Sequence, residues 1–340
     1  MKLSIVAMDI AKQVFQLHGI DMEGQVVLRR QVRRGQVLGV FGKIDRTVVA
    51  LEACATAHHW GRELAALGHE VRLIPPQHVK PYVKRGRKND AADAEAICEA
   101  ARRPGMCFVP VKSRESQAML MLHRSRGLLV KQRTMLINAI RSHLAEFGIV
   151  TAKGPAKMGD LLRLIGDEHD DRLPAIARQA LRPLAGQLDE LGAEVRDLDK
   201  AILAAHRASA ASRRLGEIPG IGPITASAIV ASVPDPAMFA SGRQFAAWLG
   251  LAPRQNSTGG KPRLGRITRQ GDAYLRRLLI IGAQAVLRWA GDGKAGPWLA
   301  ALLARRPKKV AAVALANKMA RIVWAMLTSG EVYRRPVAAA

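Results

Sequence analysis

The first hundred residues contain short apolar runs that are separated by Gly, Asp and Pro turn signals. Runs of four to eight apolar residues between such signals are typical of strands. The predicted strands are 3–10, 14–20, 25–32, 47–52 and 70–74, and the predicted short helices are 37–44 and 60–67. Strands that alternate with helices indicate an α/β domain, and the hairpin spacing of the first three strands predicts a meander.

The middle of the chain has the apolar pattern of two long helices. Residues 114–147 contain no proline, and Leu122, Leu129 and Leu136 recur every seven residues, which predicts one amphipathic helix. A second set of apolar residues alternates in steps of four and three, as coiled-coil a and d positions do. Its members are Leu184, Leu188, Leu191, Val195, Leu198 and Ile202. Spacing alone leaves two arrangements open, packing of the helices within one chain and pairing of two protomers.

These patterns predict a fold class of α/β plus all-α and three domains with a tail. The α/β domain is expected at 1–110, a helical coiled-coil linker or oligomerisation region at 111–212, a helical domain at 213–330 and the tail at 331–340.

Charge points to a nucleic-acid partner. The 340 residues carry 53 Lys and Arg against 28 Asp and Glu, a net charge of +25. Such an excess favours a polyanion and argues against an enzyme of small acidic metabolites. Aromatic residues are only 4% of the chain. We therefore expect the protein to bind nucleic acid mainly through contacts with phosphates and recognition of duplex shape, and less by stacking on bases.

Cysteine usage and hydropathy suggest a reduced, cytoplasmic protein. The three cysteines have no CxxC spacing, so neither a disulfide scaffold nor a zinc ribbon is supported. We found no signal peptide after Met1 and expect no membrane-spanning segment.

Four acidic residues of the first domain are candidates for a metal site. Asp9 and Glu52 end predicted apolar strands, and Asp90 and Asp93 share one face of a helix that Asn89 is expected to cap. Acids in apolar surroundings are costly unless they are paired or bind a cation, and hard divalent ions prefer oxygen ligands. The set suits one or two Mg²⁺ ions for phosphoryl transfer. Taken singly, each acid also has a structural reading, as a solvated, helix-capping or ion-paired side chain.

Other side chains near these acids have simpler assignments. The basic residues Lys84, Arg85, Arg87 and Lys88 directly precede the helix and are expected to hold a phosphate backbone. His58 and His59 have no third spaced ligand, so we predict a structural role for them.

The C-terminal domain opens with a possible phosphate-binding turn. The sequence Ile218-Pro-Gly-Ile-Gly-Pro223 has the Gly-apolar-Gly core of a helix-hairpin-helix. Gly220 and Gly222 would let backbone N–H groups approach a phosphate at a helix N-terminus. An ordinary turn between two helices is the alternative.

A basic, glycine-rich loop follows. Residues 251–310 contain 13 Lys or Arg and two Asp or Glu. The candidate nucleic-acid contacts are Arg254, Thr258, Lys261, Arg263, Arg266, Arg269, Arg276 and Arg277. Ser257 lies among them and has two possible roles, as a hydrogen-bond donor to phosphate or as a nucleophile that forms a phosphoserine. Residue chemistry alone favours the passive contact, because no histidine base lies nearby in sequence.

The ordered motifs resemble a known family. Met8-Asp9-Ile10-Ala11-Lys12, Leu51-Glu52-Ala53 and Arg87-Lys-Asn-Asp-Ala-Ala-Asp-Ala94 are similar to the DEDD transposases of bacterial insertion sequences, relatives of the Piv-type DNA invertases. The resemblance implies a RuvC-like, RNase H-fold N-terminal domain whose four acids fall on Asp9, Glu52, Asp90 and Asp93. The block 250–279 resembles the family's C-terminal domain and places its serine nucleophile at Ser257, with Thr258 as the adjacent hydroxyl.

The resemblance also implies partners and an activity. It implies DNA, two Mg²⁺ ions, a structured guide RNA encoded by the element, and a homo-oligomer, dimer or tetramer, whose protomers share active sites. We therefore expect a transposase that excises and inserts an insertion sequence by serine attack. The alternatives are a RuvC-like nuclease or junction resolvase that uses water, and a non-catalytic protein that binds structured nucleic acid.

Overall fold

The structure is a computed structural model that describes residues 3–83, 89–152, 154, 157–261, 263–290 and 296–334. The chain divides into two compact units. The first contains Met1–Ser116 and Pro234–Ala240, and the second contains Gln117–Val233 and Ser241–Ala340. The boundary predicted near residue 212 lies inside the second unit, because the second long helix packs against the helices that follow it.

The first unit is built on a mixed five-stranded sheet within the described residues. Its strands are β1 (Ile5–Asp9), β2 (Val14–Ile20), β3 (Val26–Arg33), β4 (Val48–Glu52) and β5 (Glu70–Ile74). They lie in the order β3-β2-β1-β4-β5. The first three pair antiparallel, and β4 and β5 continue the sheet parallel to β1. The predicted meander and strand positions are confirmed.

Helices cover both faces of this sheet. They are α1 (Val37–Phe41), α2 (Ala57–Ala66), α3 (Pro76–Val79) and α4 (Asp90–Arg102). Successive residues of a strand point to opposite faces. Met8 therefore packs with Phe41 and Trp60 on one face, while Ala7 packs with Ile97 of α4 on the other. Both faces being buried explains why β1 reads as a nearly continuous apolar run.

The second unit begins with the predicted long helices. These are α5 (Arg114–Ala145), α6 (Met158–Gly166) and α7 (Ala175–Ala208). Ile140 and Leu144 of α5 share a buried cluster with Leu181 and Leu188 of α7, so the helices pack on one another within one chain. The buried apolar residues of α7 recur every seven positions, at Leu181, Leu188, Val195 and Ile202. The intervening Leu184, Leu191 and Leu198 are half-buried.

A buried arginine closes the turn between α6 and α7. The Arg178 side chain is 5% exposed, and its guanidinium donates to the carbonyl oxygens of Ile165 (3.2 Å), Asp170 (2.7 Å) and Leu173 (3.3 Å). The last carbonyls of a helix have no partner within the helix. Arg178 supplies the missing donors at the end of α6.

The remainder is helical, with one small hairpin. Its helices are α8 (Ala210–Gly216), α9 (Pro223–Ser232), α10 (Gly242–Trp248), α11 (Ala273–Ala290), α12 (Pro297–Arg305) and α13 (Lys308–Ser329). The hairpin strands are β6 (Pro253–Gln255) and β7 (Leu264–Ile267). The sequence analysis predicted the basic, glycine-rich loop between these strands but not the strands themselves, because they are short, largely exposed and lack the apolar alternation that reveals a strand.

Among the described helices, α13 is long and apolar enough to cross a membrane. Its Ala316, Met319 and Val323 are buried, and α13 packs against α10 and α11. Burial of this apolar side accounts for the composition of α13 as a core helix.

Candidate active site and nucleic-acid interface

Two of the candidate acids lie side by side at one edge of the sheet. Asp9 is the last residue of β1 and Glu52 is the last residue of β4. The two strands are parallel neighbours, with Met8 opposite Leu51 in the register. Their carboxyl ends therefore meet, as the positions of the acids at predicted strand ends suggested.

The other two acids lie in the first turn of α4. Asn89 caps this helix, and its side-chain oxygen accepts a hydrogen bond from the backbone N–H of Ala92 at 2.8 Å. This confirms the predicted cap. Asp93 is half-buried and Asp90 is exposed. Since α4 packs against β1, β2 and β4, its acidic first turn belongs to the same unit as Asp9 and Glu52.

The four carboxyl groups influence one another electrostatically. Burial, followed by the negative charges of Asp93, Asp90 and Glu52 in that order, raises the pKa of Asp9 from 3.8 to about 6. Burial also raises the pKa of Glu52, followed by the charge of Asp93. A raised carboxyl pKa means that the ionised form is disfavoured here. A bound cation would remove that penalty.

The carboxylate oxygens of this cluster are suitable ligands for a divalent ion, but the four side chains do not converge on a single ion position. In the described part of the chain no three His, Cys, Asp or Glu side chains are arranged to hold a metal ion. Four carboxylates with mutual repulsion are nevertheless the oxygen-rich set that Mg²⁺ prefers. Coordination would require the acids of α4 and of the strand ends to come closer together.

The predicted phosphate-binding residues Lys84, Arg85, Arg87 and Lys88 lie outside the described residues. The structure adds basic side chains that the sequence analysis missed. Lys12 and Arg34 flank the β2–β3 hairpin at the edge where Asp9 lies, and Arg34 N–H donates to the Gln13 carbonyl at 2.8 Å. The Arg34 guanidinium lies over the Trp60 ring, 5.2 Å from its centroid. Only the register of the hairpin reveals this position, so no sequence signal pointed to it.

His58 makes the structural contact that its sequence context suggested. Its Nδ1 accepts a hydrogen bond from the backbone N–H of Lys112 at 3.2 Å. The Nδ1 atom of the neighbouring His59 lies 3.7 Å from Oε1 of Glu63 on the same helix.

In the second unit, Ser257 lies in the loop of the β6–β7 hairpin. Its side chain is half-buried, and its Oγ accepts a hydrogen bond from the backbone N–H of Arg263 at 3.0 Å. Thr258 is exposed and pairs with Lys261 in an isolated bridge. Gly259 and Gly260 have φ of +53° and +75°, a conformation that side chains disfavour, so the tight turn after Ser257 requires glycine.

The base of the hairpin is held by close backbone packing. A Cβ added at Gly271 would lie 1.8 Å from the carbonyl oxygen of Trp248. Arg276 Nη1 donates to the carbonyls of Leu249 (2.9 Å) and Gln270 (2.7 Å). Arg276 is thus a support of the hairpin as well as a candidate phosphate contact.

The other predicted contacts surround this hairpin as exposed side chains. They are Arg254, Lys261, Arg263, Arg266, Arg269 and Arg277. The Arg277 guanidinium lies 5.3 Å from the ring centroid of Tyr274. Exposed arginines around a serine loop form a surface on which a phosphate backbone can lie.

The predicted phosphate turn joins α8 to α9, and its glycines differ in their surroundings. Gly220 has φ of +86°, and a Cβ there would lie 2.7 Å from the carbonyl oxygen of Gly282 in α11. Gly222 precedes α9 as its N-cap and has open space around it. Gly220 is therefore required for packing, while phosphate contact by this turn stays a prediction.

Two protein-family models match the chain. A DEDD-type IS110 transposase model covers residues 6–149, and a model described as transposase IS116/IS110/IS902 family covers residues 212–296. The first match includes all four acids, and the second includes Ser257 and the glycine turn.

Full-length relatives agree with these matches. The chain is 52% identical to a probable family 20 transposase of Pseudomonas aeruginosa, over 98% of this chain and 99% of the relative. It is 50% identical to a putative transposase of Sinorhizobium fredii, over 97% of this chain and 85% of the relative. It is 42% identical to the transposase for insertion sequence element IS1111A of Coxiella burnetii, over 98% and 92% of the two chains.

The matches and the mixed α/β unit followed by helices define an enzyme that processes DNA, a transposase. More particularly, the chain belongs to the IS116/IS110/IS902 family of transposases. Its activity is transposition, its partner is DNA, and the DEDD match indicates use of a divalent metal.

Proposed function

We propose that this transposase excises and inserts an insertion sequence by serine attack on DNA phosphodiesters, assisted by two Mg²⁺ ions. The acids Asp9, Glu52, Asp90 and Asp93 hold the ions, and Ser257 is the nucleophile. The observation that carries the proposal is that the two family matches cover separate blocks, one with all four acids and one with Ser257.

In this reaction the Ser257 oxygen forms a bond to phosphorus while the bond from phosphorus to a deoxyribose oxygen breaks. The serine gives up a proton and the leaving oxygen takes one, so charge is balanced. Metal ions held by Asp9, Glu52, Asp90 and Asp93 would supply stabilisation of the negative charge that develops in this step. A phosphoserine conserves the phosphodiester energy, which permits strand exchange and rejoining without ATP.

Several finer features belong to the same proposal. The strand order β3-β2-β1-β4-β5 supports an RNase H/RuvC-like assignment for the first unit. The α8–turn–α9 segment supports a helix-hairpin-helix. A structured guide RNA, a homo-oligomer with shared active sites and a bacterial cytoplasmic location complete the proposal, on the strength of the family resemblance.

Excision in cells tests the proposal. The element with its flanks is placed on a plasmid, the protein is supplied in trans, and the rejoined flank is quantified by PCR. Asp93→Asn and Ser257→Ala should each lower excision by at least about a thousandfold, since removal of a metal ligand or a nucleophile removes most of the catalysis.

Matched controls separate chemistry from folding. Asp45→Asn and Ser142→Ala change exposed residues outside the site and should excise as the wild type does. Retained excision by Ser257→Ala would favour a nuclease that uses water. Loss in Thr258→Val but not in Ser257→Ala would move the nucleophile to Thr258.

A further inference from the structure

A large groove lies between α11 and α13 in the second unit, and the β6–β7 hairpin forms one of its walls. Its volume is about 1430 Å³. Small-molecule sites are usually ~300–1,000 Å³, so the groove is large enough for a segment of a polymer.

The floor of the groove is apolar and partly open to solvent. Ile280, Val313 and Ile322 contribute to it, and Ile281 and Val310 are each 50% exposed. Exposed apolar surface of this kind marks an interaction site when polar groups surround it. A ligand with flat apolar groups is expected to cover this floor.

The rim carries charge of one sign. Seven of the described lining residues are Lys or Arg, and none of the described lining residues is Asp or Glu. Lys309, Lys318 and Arg321 come from α13, and the others come from the hairpin, α11 and the segment that joins them. Lys318 Nζ lies 4.2 Å from the ring centroid of Trp298, which also lines the groove. Cations around an apolar floor with an aromatic ring match the chemistry of unpaired nucleotides.

A duplex fits this groove less well. Its bases are stacked inside the helix, so it presents phosphates to the rim and only base edges, not base faces, to the floor. An unpaired strand can place phosphates on the rim and bases on Ile281 and Val310. Because Pro253, Arg266 and Ile267 of the groove wall belong to the hairpin that carries Ser257, the strand is expected to be DNA next to the attacked phosphate.

We propose that the groove between α11 and α13 binds unpaired DNA nucleotides adjoining the phosphodiester that Ser257 attacks. The identification of the strand as DNA next to the attacked phosphate rests on the proposed function. The binding of unpaired nucleotides is argued from the shape, charge and apolar floor of the groove alone.

Equilibrium binding tests the proposal. Fluorescence anisotropy with labelled single-stranded and duplex DNA of one length compares the wild type with Ile281→Asn and Val310→Asn. Each variant should bind the single strand about tenfold more weakly, because the apolar contact between the bases and the Ile281 or Val310 side chain is lost. Duplex affinity should change by less than about twofold, since phosphate contacts are kept.

Ile176→Asn is the matched control. Ile176 is 75% exposed on α7 and does not line the groove, so the same substitution should leave both affinities unchanged. A second measurement is photocrosslinking from single-stranded DNA that contains 5-iododeoxyuridine, which should label the peptide with Trp298.

Several results would overturn the proposal. Equal losses of affinity for single-stranded and duplex DNA would show that the groove binds duplex DNA. Unchanged affinities would show that the groove does not bind DNA. Tighter competition by single-stranded RNA would change the occupant to RNA. A lower oligomeric mass of Ile281→Asn with unaltered DNA binding would make the groove an interface between copies. None of these measurements requires Ser257 chemistry, so failure of the proposed function is recognised separately.

Discussion

Asp9 occupies a position that is unfavourable for its own charge. Burial and three neighbouring acids raise its pKa to about 6. An active site often keeps such strain because catalysis uses it, and the fold loses stability in return. The cost appears when the carboxyl group is ionised and no cation is bound.

Replacing Asp9 by Asn should therefore stabilise the metal-free protein while abolishing transposition. The folded pKa lies above the unfolded value of 3.8, so the stabilising contribution of Asp9 is present below pH 3.8 and is lost as the pH rises through 6. At pH 8 we expect Asp9→Asn to raise the free energy of unfolding by about 1–2 kcal/mol, because solvent screens part of the penalty. Urea unfolding of both proteins in the presence of EDTA measures this change in the free energy of unfolding.

The control is Asp45→Asn, an exposed acid in the same unit, which should leave stability within about 0.5 kcal/mol of the wild type. Added Mg²⁺ should raise the melting temperature of the wild type more than that of Asp9→Asn. A less stable Asp9→Asn in EDTA would contradict the electrostatic account.

Gly220 and Gly222 are two residues apart but should respond differently to substitution. Gly220→Ala places a Cβ 2.7 Å from the Gly282 carbonyl oxygen in a left-handed backbone conformation, whereas Gly222→Ala meets open space. We expect a loss of about 2–4 kcal/mol for Gly220→Ala and less than about 1 kcal/mol for Gly222→Ala. Chemical denaturation of both variants gives the comparison, and equal losses would refute the packing role.

At the scale of elements, a buried histidine joins three helices. His123 of α5 is 1% exposed, its Nδ1 lies 3.1 Å from the Tyr274 hydroxyl of α11, and its Nε2 lies 3.1 Å from the Ser227 Oγ of α9. Burial, followed by the positive charge of Arg126, lowers the pKa of His123 from 6.5 to about 4. The neutral ring is therefore the form that holds α5, α9 and α11 together.

This predicts acid sensitivity of the second unit. Between pH 6.5 and 4 the unfolded chain binds a proton at His123 that the folded chain does not, so stability falls as the pH falls through this window. Across the whole window, the free energy of unfolding should fall by about 3 kcal/mol. Urea unfolding at several pH values should show this slope in the wild type and a shallower slope in His123→Gln. Identical slopes would show that His123 is not the group responsible.

The sequence predicts elements well where one physical rule determines them. The strands β1 and β4, the Asn89 cap and the seven-residue period of α7 all follow from local pattern, and the structure contains each of them. Because neighbouring parallel strands end at one edge, the placement of Asp9 beside Glu52 was also predictable.

Other features depend on contacts between residues distant in sequence. The closeness of Arg34 to the Asp9 edge needs the register of a hairpin, and the packing of Gly220 on Gly282 needs the fold of α11. The β6–β7 hairpin has no apolar alternation, because both of its strands are exposed. No local pattern carries this information.

At the scale of the whole molecule, the proposed catalytic residues are divided between two units. The acids belong to the first, and Ser257 with its basic surroundings belongs to the second. A net charge of +25 provides affinity for DNA across both. The central claim is that the serine of one unit and the metal-binding acids of the other serve a single phosphoryl transfer.

Detection of a covalent protein–DNA adduct tests this claim most directly. The protein is incubated with DNA that flanks its own gene, together with any RNA that the element encodes, and resolved on a denaturing gel with and without Mg²⁺. We predict a Mg²⁺-dependent adduct in the wild type that is absent from both Ser257→Ala and Asp90→Ala. Cleavage by Ser257→Ala, without an adduct in the wild type, would contradict the claim and identify a nuclease that uses water.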